Sequence, residues 1–274
     1  MFQAASTKKS IFTSAIQTLE LIYHSVVRSV RKTHNNAFMS IGINLLQAVI
    51  FVGTFYLMFS VLGLRGAAIR GDFLLYLMSG IFLFLTHTKT LSAVVRSEGP
   101  ASPMMQHAPM NTVISTTSAA LGALYVQVLT MVIILFVYHV GFQPIVIEEP
   151  FAAFGMLLIA WFTGLAVGVV LLSIKPWFPQ FVSIFSTIYQ RANMIASGKM
   201  FVANSLPGYM LAIFDWNPLF HSIDQARGFV FINYNPHYTE WQYALWVGTI
   251  LIVIGMMGEF YTRRSASISW SARR

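Results

Sequence analysis

The sequence predicts an all-α membrane protein that crosses a lipid bilayer six times. Only 9% of its 274 residues are charged and 56% are apolar, whereas soluble domains average about 25% charged residues. Charge-free apolar runs recur at lengths that suit spanning helices of about 20 residues. The net charge is +8, but Lys and Arg cluster at the ends of the apolar runs. That distribution indicates membrane topology rather than a nucleic-acid partner.

The predicted spans follow from the charge-free windows. They occupy residues 40–62, 73–91, 113–140, 151–174, 177–201 and 241–258. The second is short, and Arg191 and Lys199 interrupt the fifth. The chain is thus expected to consist of a cytoplasmic N-terminal segment (1–36), a six-span domain (37–262) and a basic cytoplasmic tail (263–274).

The basic residues predict the orientation of the spans. An even number of spans places both termini on one side, and that side would hold twelve Lys and Arg residues against four on the other. Because cytoplasmic loops carry the excess of Lys and Arg, both termini are predicted to be cytoplasmic. The chain has no cysteine, so disulfides are excluded.

An amphipathic helix is predicted before the first span, over residues 11–32. Its apolar face recurs at steps of three and four residues, and it comprises Phe12, Ile16, Leu19, Tyr23, Val26 and Val30. A helix of this kind lies in the plane of the membrane interface. It either sets topology as an anchor or packs against a partner at the membrane surface.

The loop over 97–110 is the second notable segment. One glycine and three prolines exclude a continuous helix, although Pro103 can begin a short one. Met104 and Met105 offer adaptable contact surface, and His107 lies beside them. The segment is either a plain connector or a docking helix for a soluble partner.

A re-entrant or external helical segment is predicted before the last span. The apolar piece 201–214 is too short to span, and Pro207 interrupts it. Next, Asn217 and Pro218 form an N-cap and a first helical residue. On that helix His221, Asp224 and Arg227 recur at intervals of three and share one face. The simplest role for the Asp–Arg pair is structural.

Small residues indicate where helices approach closely in lipid. Gly164 and Gly168 form a Gly-x-x-x-Gly step in the fourth span, and Gly248, Gly255 and Gly258 lie along the sixth. Packing within one chain is the default interpretation, and a dimer interface is the alternative.

These features together resemble one family, the permease subunits of type 2 ABC transporters that export capsular polysaccharide and O-antigen. The resemblance covers nearly the whole chain. The external run that contributes to it is Ser197-Gly198, Phe201, Leu206-Pro207, Asn217-Pro218-Leu219, His221, Asp224 and Arg227. Its most specific part is Asn217-Pro218-Leu219-x-His221, followed by an acid and Arg227. Family members often have Glu at the position of Asp224, so the shorter carboxylate here alters its reach.

The resemblance implies a homodimer that works with a separate ATPase, which binds ATP and Mg²⁺, while this chain binds no cofactor. Its substrate would be a lipid-linked polysaccharide moved across the bacterial inner membrane for capsule biogenesis, with periplasmic and outer-membrane export components as further partners. No Gly-x-x-x-x-Gly-Lys-Ser/Thr occurs in the sequence. Phosphate binding is therefore expected from another chain.

Two groups of residues are candidates for the translocation path. Aromatic rings can stack on sugar faces, and the candidates are Tyr56, Tyr76, Phe82, Phe84 and Tyr189. Lipid-facing or interfacial placement is the alternative for each. Arg191 is predicted to face the path or its outer mouth near Ser197 and Gly198, with snorkelling to the headgroups as the alternative. The helix that Asn217 caps would form a lid over the outer end.

Three other functions remain open. A permease of the same fold could export a drug or a small lipid, and a non-transporting scaffold is a further alternative. An intramembrane glycosyl- or acyltransferase needs a positioned acid, base or metal cluster. The chain has only nine acids and seven dispersed histidines, so we expect no enzyme, no catalytic residue and no metal site.

Overall fold

The computed structural model describes residues 17, 19–27, 37–63, 69, 71–99 and 111–271. In this part of the chain the secondary structure is helical, without strands. The long helices are α1 (Ala37–Val61), α2 (Phe73–Arg96), α3 (Thr112–Gly141), α4 (Pro150–Ile174), α5 (Pro179–Ala196) and α8 (Trp241–Ser271). Two short helices, α6 (Gly208–Phe214) and α7 (Pro218–Val230), lie between α5 and α8, after a 3₁₀ turn at Ala203–Ser205.

Five helices are long and apolar enough to cross a membrane: α1, α2, α3, α4 and α8. The chain is accordingly a multi-pass membrane protein by length and composition. The fifth predicted span, residues 177–201, corresponds to α5, which has 18 residues and is not among the helices of the described chain that meet this standard. Its hydropathy is low because Ser, Thr, Gln, Asn and Arg side chains recur along it.

Helix α2 is the centre of the bundle. In its most apolar 18-residue window 83% of the residues are buried, against 17% in α1 and in α8. Helix α4 packs between α2 and α8, and α7 packs against α2, α4 and α8. Helix α1 packs extensively only against α2 and α3 among the described helices. Much of its apolar surface therefore faces outward.

Glycines bring the central helices together. A Cβ at Gly164 would lie 2.5 Å from the carbonyl oxygen of His87, and one at Gly168 would lie 2.8 Å from the Cβ of Val94. Along α8, Cβ atoms at Gly255 and Gly258 would likewise meet α4 at 2.8 and 2.6 Å. The small residues thus serve packing within one chain, which was the default expectation.

Side-chain contacts tie the helix ends together. Asp72 caps α2 by accepting from Leu74 N at 2.9 Å, and it also accepts from the Tyr138 hydroxyl of α3 at 2.6 Å. At the other end of α2, the Lys175 ammonium donates to the Val95 carbonyl at 2.6 Å. Helix α8 continues to Ser271, so it runs through most of the predicted tail 263–274.

Only part of the predicted amphipathic helix is described. Residues 17 and 19–27 are helical, and Leu19 and Tyr23 of its apolar face are exposed. The Ile22 carbonyl accepts from the Ser118 hydroxyl of α3 at 3.4 Å. The predicted docking residues of the 97–110 loop lie outside the described residues; they are Pro103, Met104, Met105 and His107.

Candidate functional site

The helix predicted from Asn217 onward is α7. The Asn217 side chain accepts from Leu219 N at 3.1 Å, and Pro218 is the first helical residue. The Asn217 amide also donates to the Ala196 carbonyl and to Asn193 Oδ1, both at 3.0 Å. The cap therefore also fixes α7 against the end of α5.

Arg227 is the most enclosed cation of this region. Its side chain is 0% exposed, and its guanidinium donates to the carbonyls of Gly198, Lys199 and Phe201. It also lies 4.2 Å from the centre of the Tyr76 ring. Three carbonyl dipoles and an aromatic face stabilise a charge that would be costly if unpaired. Arg227 thereby holds the turn that follows α5.

Gly198 is required in that turn for two reasons. Its φ of +72° lies in the left-handed region that side chains disfavour. A Cβ there would also lie 2.6 Å from the Phe220 ring of α7. The Ser197-Gly198 step of the resemblance thus has a packing role beneath α7.

Asp224 fixes the remaining side of α7. Its carboxylate accepts from Ala203 N at 3.0 Å, from the Tyr234 hydroxyl at 2.6 Å and from the Thr239 hydroxyl at 2.8 Å. Burial, followed by the Asp224 charge, raises the pKa of Tyr234, so this phenol remains a donor. Asp224 and Arg227 share a face as predicted, but each has its own hydrogen-bond partners.

His221 joins α7 to the start of α8. Its Nδ1 accepts from Glu240 N at 3.0 Å, which leaves the proton on Nε2 to donate to the Asp215 carbonyl. The ring also packs against Tyr243 with centroids 4.5 Å apart. We call the assembly of residues 196–203, α7 and residues 234–240 the Arg227 unit.

Lys199 projects from the Arg227 unit into an aromatic cage. Its ammonium lies 4.5, 4.6 and 4.0 Å from the ring centres of Phe51, Phe55 and Phe84. Among the described residues the ammonium has no hydrogen-bond partner, and the side chain is 1% exposed. The cage links the unit to α1, which has few other partners.

The predicted path residues do not converge on one cavity. Tyr56 lines an outward cleft of about 850 Å³ among α1, α2 and α3, whereas Tyr76 is buried under Arg227. The Tyr189 hydroxyl lies 3.1 Å from Nε2 of His87. Phe82 and Phe84 are buried in α2, and Ser197 and Gly198 are buried inside the Arg227 unit. A shared path through these residues stays a prediction.

Arg191 instead belongs to a groove of about 460 Å³ between α2 and α5, which we call the cationic groove. One wall is formed along α5 by Pro179, Val182, Ser183, Ser186, Thr187, Gln190 and Arg191. The other is formed by Ser92, Val95 and Arg96 of α2, with Lys175 at the end. Arg191 and Arg96 are exposed.

Sequence reasoning missed most of this groove. Ser183, Thr187 and Arg191 recur every four residues, as do Ser186 and Gln190, and this spacing could have identified the polar face of α5. Arg96 and Lys175 were used only as basic residues that predict the orientation of the spans. The Lys199 cage had no detectable signal, because its rings come from two other helices.

The sequence matches no protein-family model, and no curated protein is significantly similar to it. The family resemblance therefore rests on the residue pattern alone.

Proposed function

We propose that this chain is the transmembrane subunit of an ATP-driven exporter that moves a lipid-linked polysaccharide across the bacterial inner membrane. It would act as a homodimer with a separate ATPase, and six membrane crossings would place both termini in the cytoplasm. In this arrangement α5 is the fifth crossing, and the segment from 197 to 230 is a re-entrant or external closure before α8.

The Arg227 unit is the observation that supports this proposal most. The residues of the resemblance are scattered over 31 positions, from Ser197 to Arg227. In the structure Gly198, Asn217, His221, Asp224 and Arg227 belong to one buried, hydrogen-bonded assembly. Each of these residues bonds a different segment of the chain. Residues that form one such assembly are therefore expected at spaced positions of this kind.

The burial of this assembly suits a structural role of its charged groups rather than a catalytic one. Asp224 and Arg227 are 1% and 0% exposed, and each is engaged by main-chain or hydroxyl partners. They are therefore suited to holding a rigid closure between α5 and α8. Force would reach this closure through α5, whose last turn is bonded to Asn217.

Cysteine cross-linking to a candidate ATPase partner tests the proposal. The native chain has no cysteine, so single cysteines at Pro103, Met104 and Met105 give unambiguous products. We expect cross-links from this loop and none from a matched cysteine at Gln143, which follows α3 at the other end of that helix. Cross-links from Gln143 and none from the loop would contradict the topology and the docking role of the loop, and no cross-link from either position would contradict the partner.

An export measurement separates the substrate alternatives. Cells that lack the chain should accumulate lipid-linked glycan in the cytoplasm, and the wild-type chain should restore export. Met104→Asp with Met105→Asp should insert normally yet leave ATP hydrolysis uncoupled from export, because charge would enter a buried contact. Normal glycan export without the chain would instead favour a drug or small-lipid permease.

A further inference from the structure

The cationic groove is notable first for its charge. Among the described residues it is lined by Arg96, Lys175 and Arg191 and by no carboxylate. Lys175 is engaged by the Val95 carbonyl at 2.6 Å. Arg96 and Arg191 are exposed, and neither has an ion-pair partner within the part of the chain that the structure describes. Two guanidinium groups are thus available to a ligand.

The polar side chains of the groove are mainly donors as well. Ser92 donates to Oε1 of Gln190 at 3.2 Å. This bond orients the Gln190 amide, and its N–H groups have no hydrogen-bond acceptor among the described residues. The Ser183 hydroxyl likewise has no hydrogen-bond partner among the described residues. The Ser186 and Thr187 hydroxyls donate to the Ser183 carbonyl. A site rich in donors and poor in acceptors suits an oxyanion such as phosphate, which guanidinium groups bind in a forked geometry.

The groove extends deep along α5. Arg191 lies twelve residues beyond Pro179, about 18 Å at 1.5 Å per residue. In the proposed six-span arrangement, a charged side chain this far along a crossing helix usually faces water or a polar partner. Arg96 and Lys175 lie near helix ends instead. The groove therefore leads from the end of the bundle toward its middle.

An apolar surface adjoins this polar face. Side chains of α5 outside the groove are strongly exposed; they include Phe181, Ile184, Phe185, Ile188 and Ile195. A ligand bound by its anionic group in the groove would keep a hydrocarbon chain beside these residues. The combination fits an amphiphile with a phosphate headgroup.

We propose that the cationic groove binds the phosphate of an anionic lipid, with Arg191 and Arg96 as its ligands. The identity of this lipid as the carrier of an exported glycan rests on the proposed function, whereas the binding itself does not. The same phosphate chemistry could come from a lipid headgroup or from free phosphate, and the arrangement of apolar residues favours the lipid.

Native mass spectrometry of the purified chain tests this proposal without any ATPase. The probes are phosphatidylglycerol, phosphatidylcholine and inorganic phosphate. We expect preferential binding of phosphatidylglycerol, and about ten-fold weaker binding in Arg191→Gln and in Arg96→Gln, the loss expected for one charge-assisted bond. Arg191→Lys should retain part of the affinity. The matched control is Arg263→Gln, which removes an exposed cation of α8 outside the groove and should leave binding unchanged.

The outcomes separate the ligand sources. Equal phosphatidylglycerol binding by the wild type, Arg191→Gln and Arg96→Gln would overturn the proposal. Displacement of the lipid by inorganic phosphate at comparable concentration would overturn the lipid assignment in favour of a free-phosphate site. Loss of binding in Arg263→Gln as well would indicate nonspecific charge attraction and would also overturn it. Failed export with intact, groove-dependent lipid binding would contradict the proposed function alone.

Discussion

Replacement of Gly164 by alanine should force α2 and α4 apart. The new Cβ would lie 2.5 Å from the carbonyl oxygen of His87 and 3.0 Å from its Cα. Both are backbone atoms of a helix, so relief requires α2 itself to move. Overpacking of this kind costs about 1–3 kcal/mol. The same shift would disturb the His87 Nδ1 contact to Thr163 at 3.0 Å.

Gly155 provides the matched control on the same helix. A Cβ there meets nothing within 4 Å, so Gly155→Ala should gain up to about 1 kcal/mol from better helix propensity. Because Gly164→Ala has the same gain in helix propensity, the two variants are expected to differ by the overpacking cost alone, about 1–3 kcal/mol in the free energy of unfolding. Unfolding by sodium dodecyl sulfate in mixed micelles, followed by tryptophan fluorescence, measures this difference. Equal stability of the two variants would refute the close packing of α2 on α4.

Two further variants test the Arg227 unit and the cage by the same titration. Lys199→Met should be more stable than Lys199→Gln, because the cage of three phenylalanines offers no hydrogen-bond partner and an amide needs one; the reverse order would contradict an apolar cage. Asp224→Ala should lose about 3 kcal/mol or more, since three donors lose their acceptor. The control Glu148→Ala changes an exposed carboxylate and should alter stability little. A loss as large as that of Asp224→Ala would contradict a specific role of the Asp224 hydrogen bonds.

Local signals predicted local structure well. The Asn217-Pro218 pair predicted the cap and first residue of α7, because both effects act within one turn. The five apolar helices correspond to four of the long charge-free runs and to the short run after Asp72. The run 177–201 was extrapolated past two charges, and its helix ends at Ala196. There the turn at Gly198 begins, which Arg227 stabilises from 29 residues away.

Tertiary partners account for what the sequence could not predict. Lys199 was identified only as a charge that interrupts the fifth predicted span, yet it is buried among rings from α1 and α2. Tyr76 and Tyr189 were both candidates for the path; in the structure Tyr76 lies beneath Arg227 and Tyr189 contacts His87. Aromatic content alone does not orient a ring, because the same residue type suits a core, a lipid face and a lumen.

The two arginines of this region differ in a way that separates structure from function. Arg227 has three carbonyl acceptors and an aromatic face, all supplied by its own chain. Arg191 is exposed along α5 and has no comparable partner in the described chain. A buried charge is costly unless partners offset that cost. For Arg227 the fold supplies those partners, and for Arg191 an anion bound in the groove is the proposed partner.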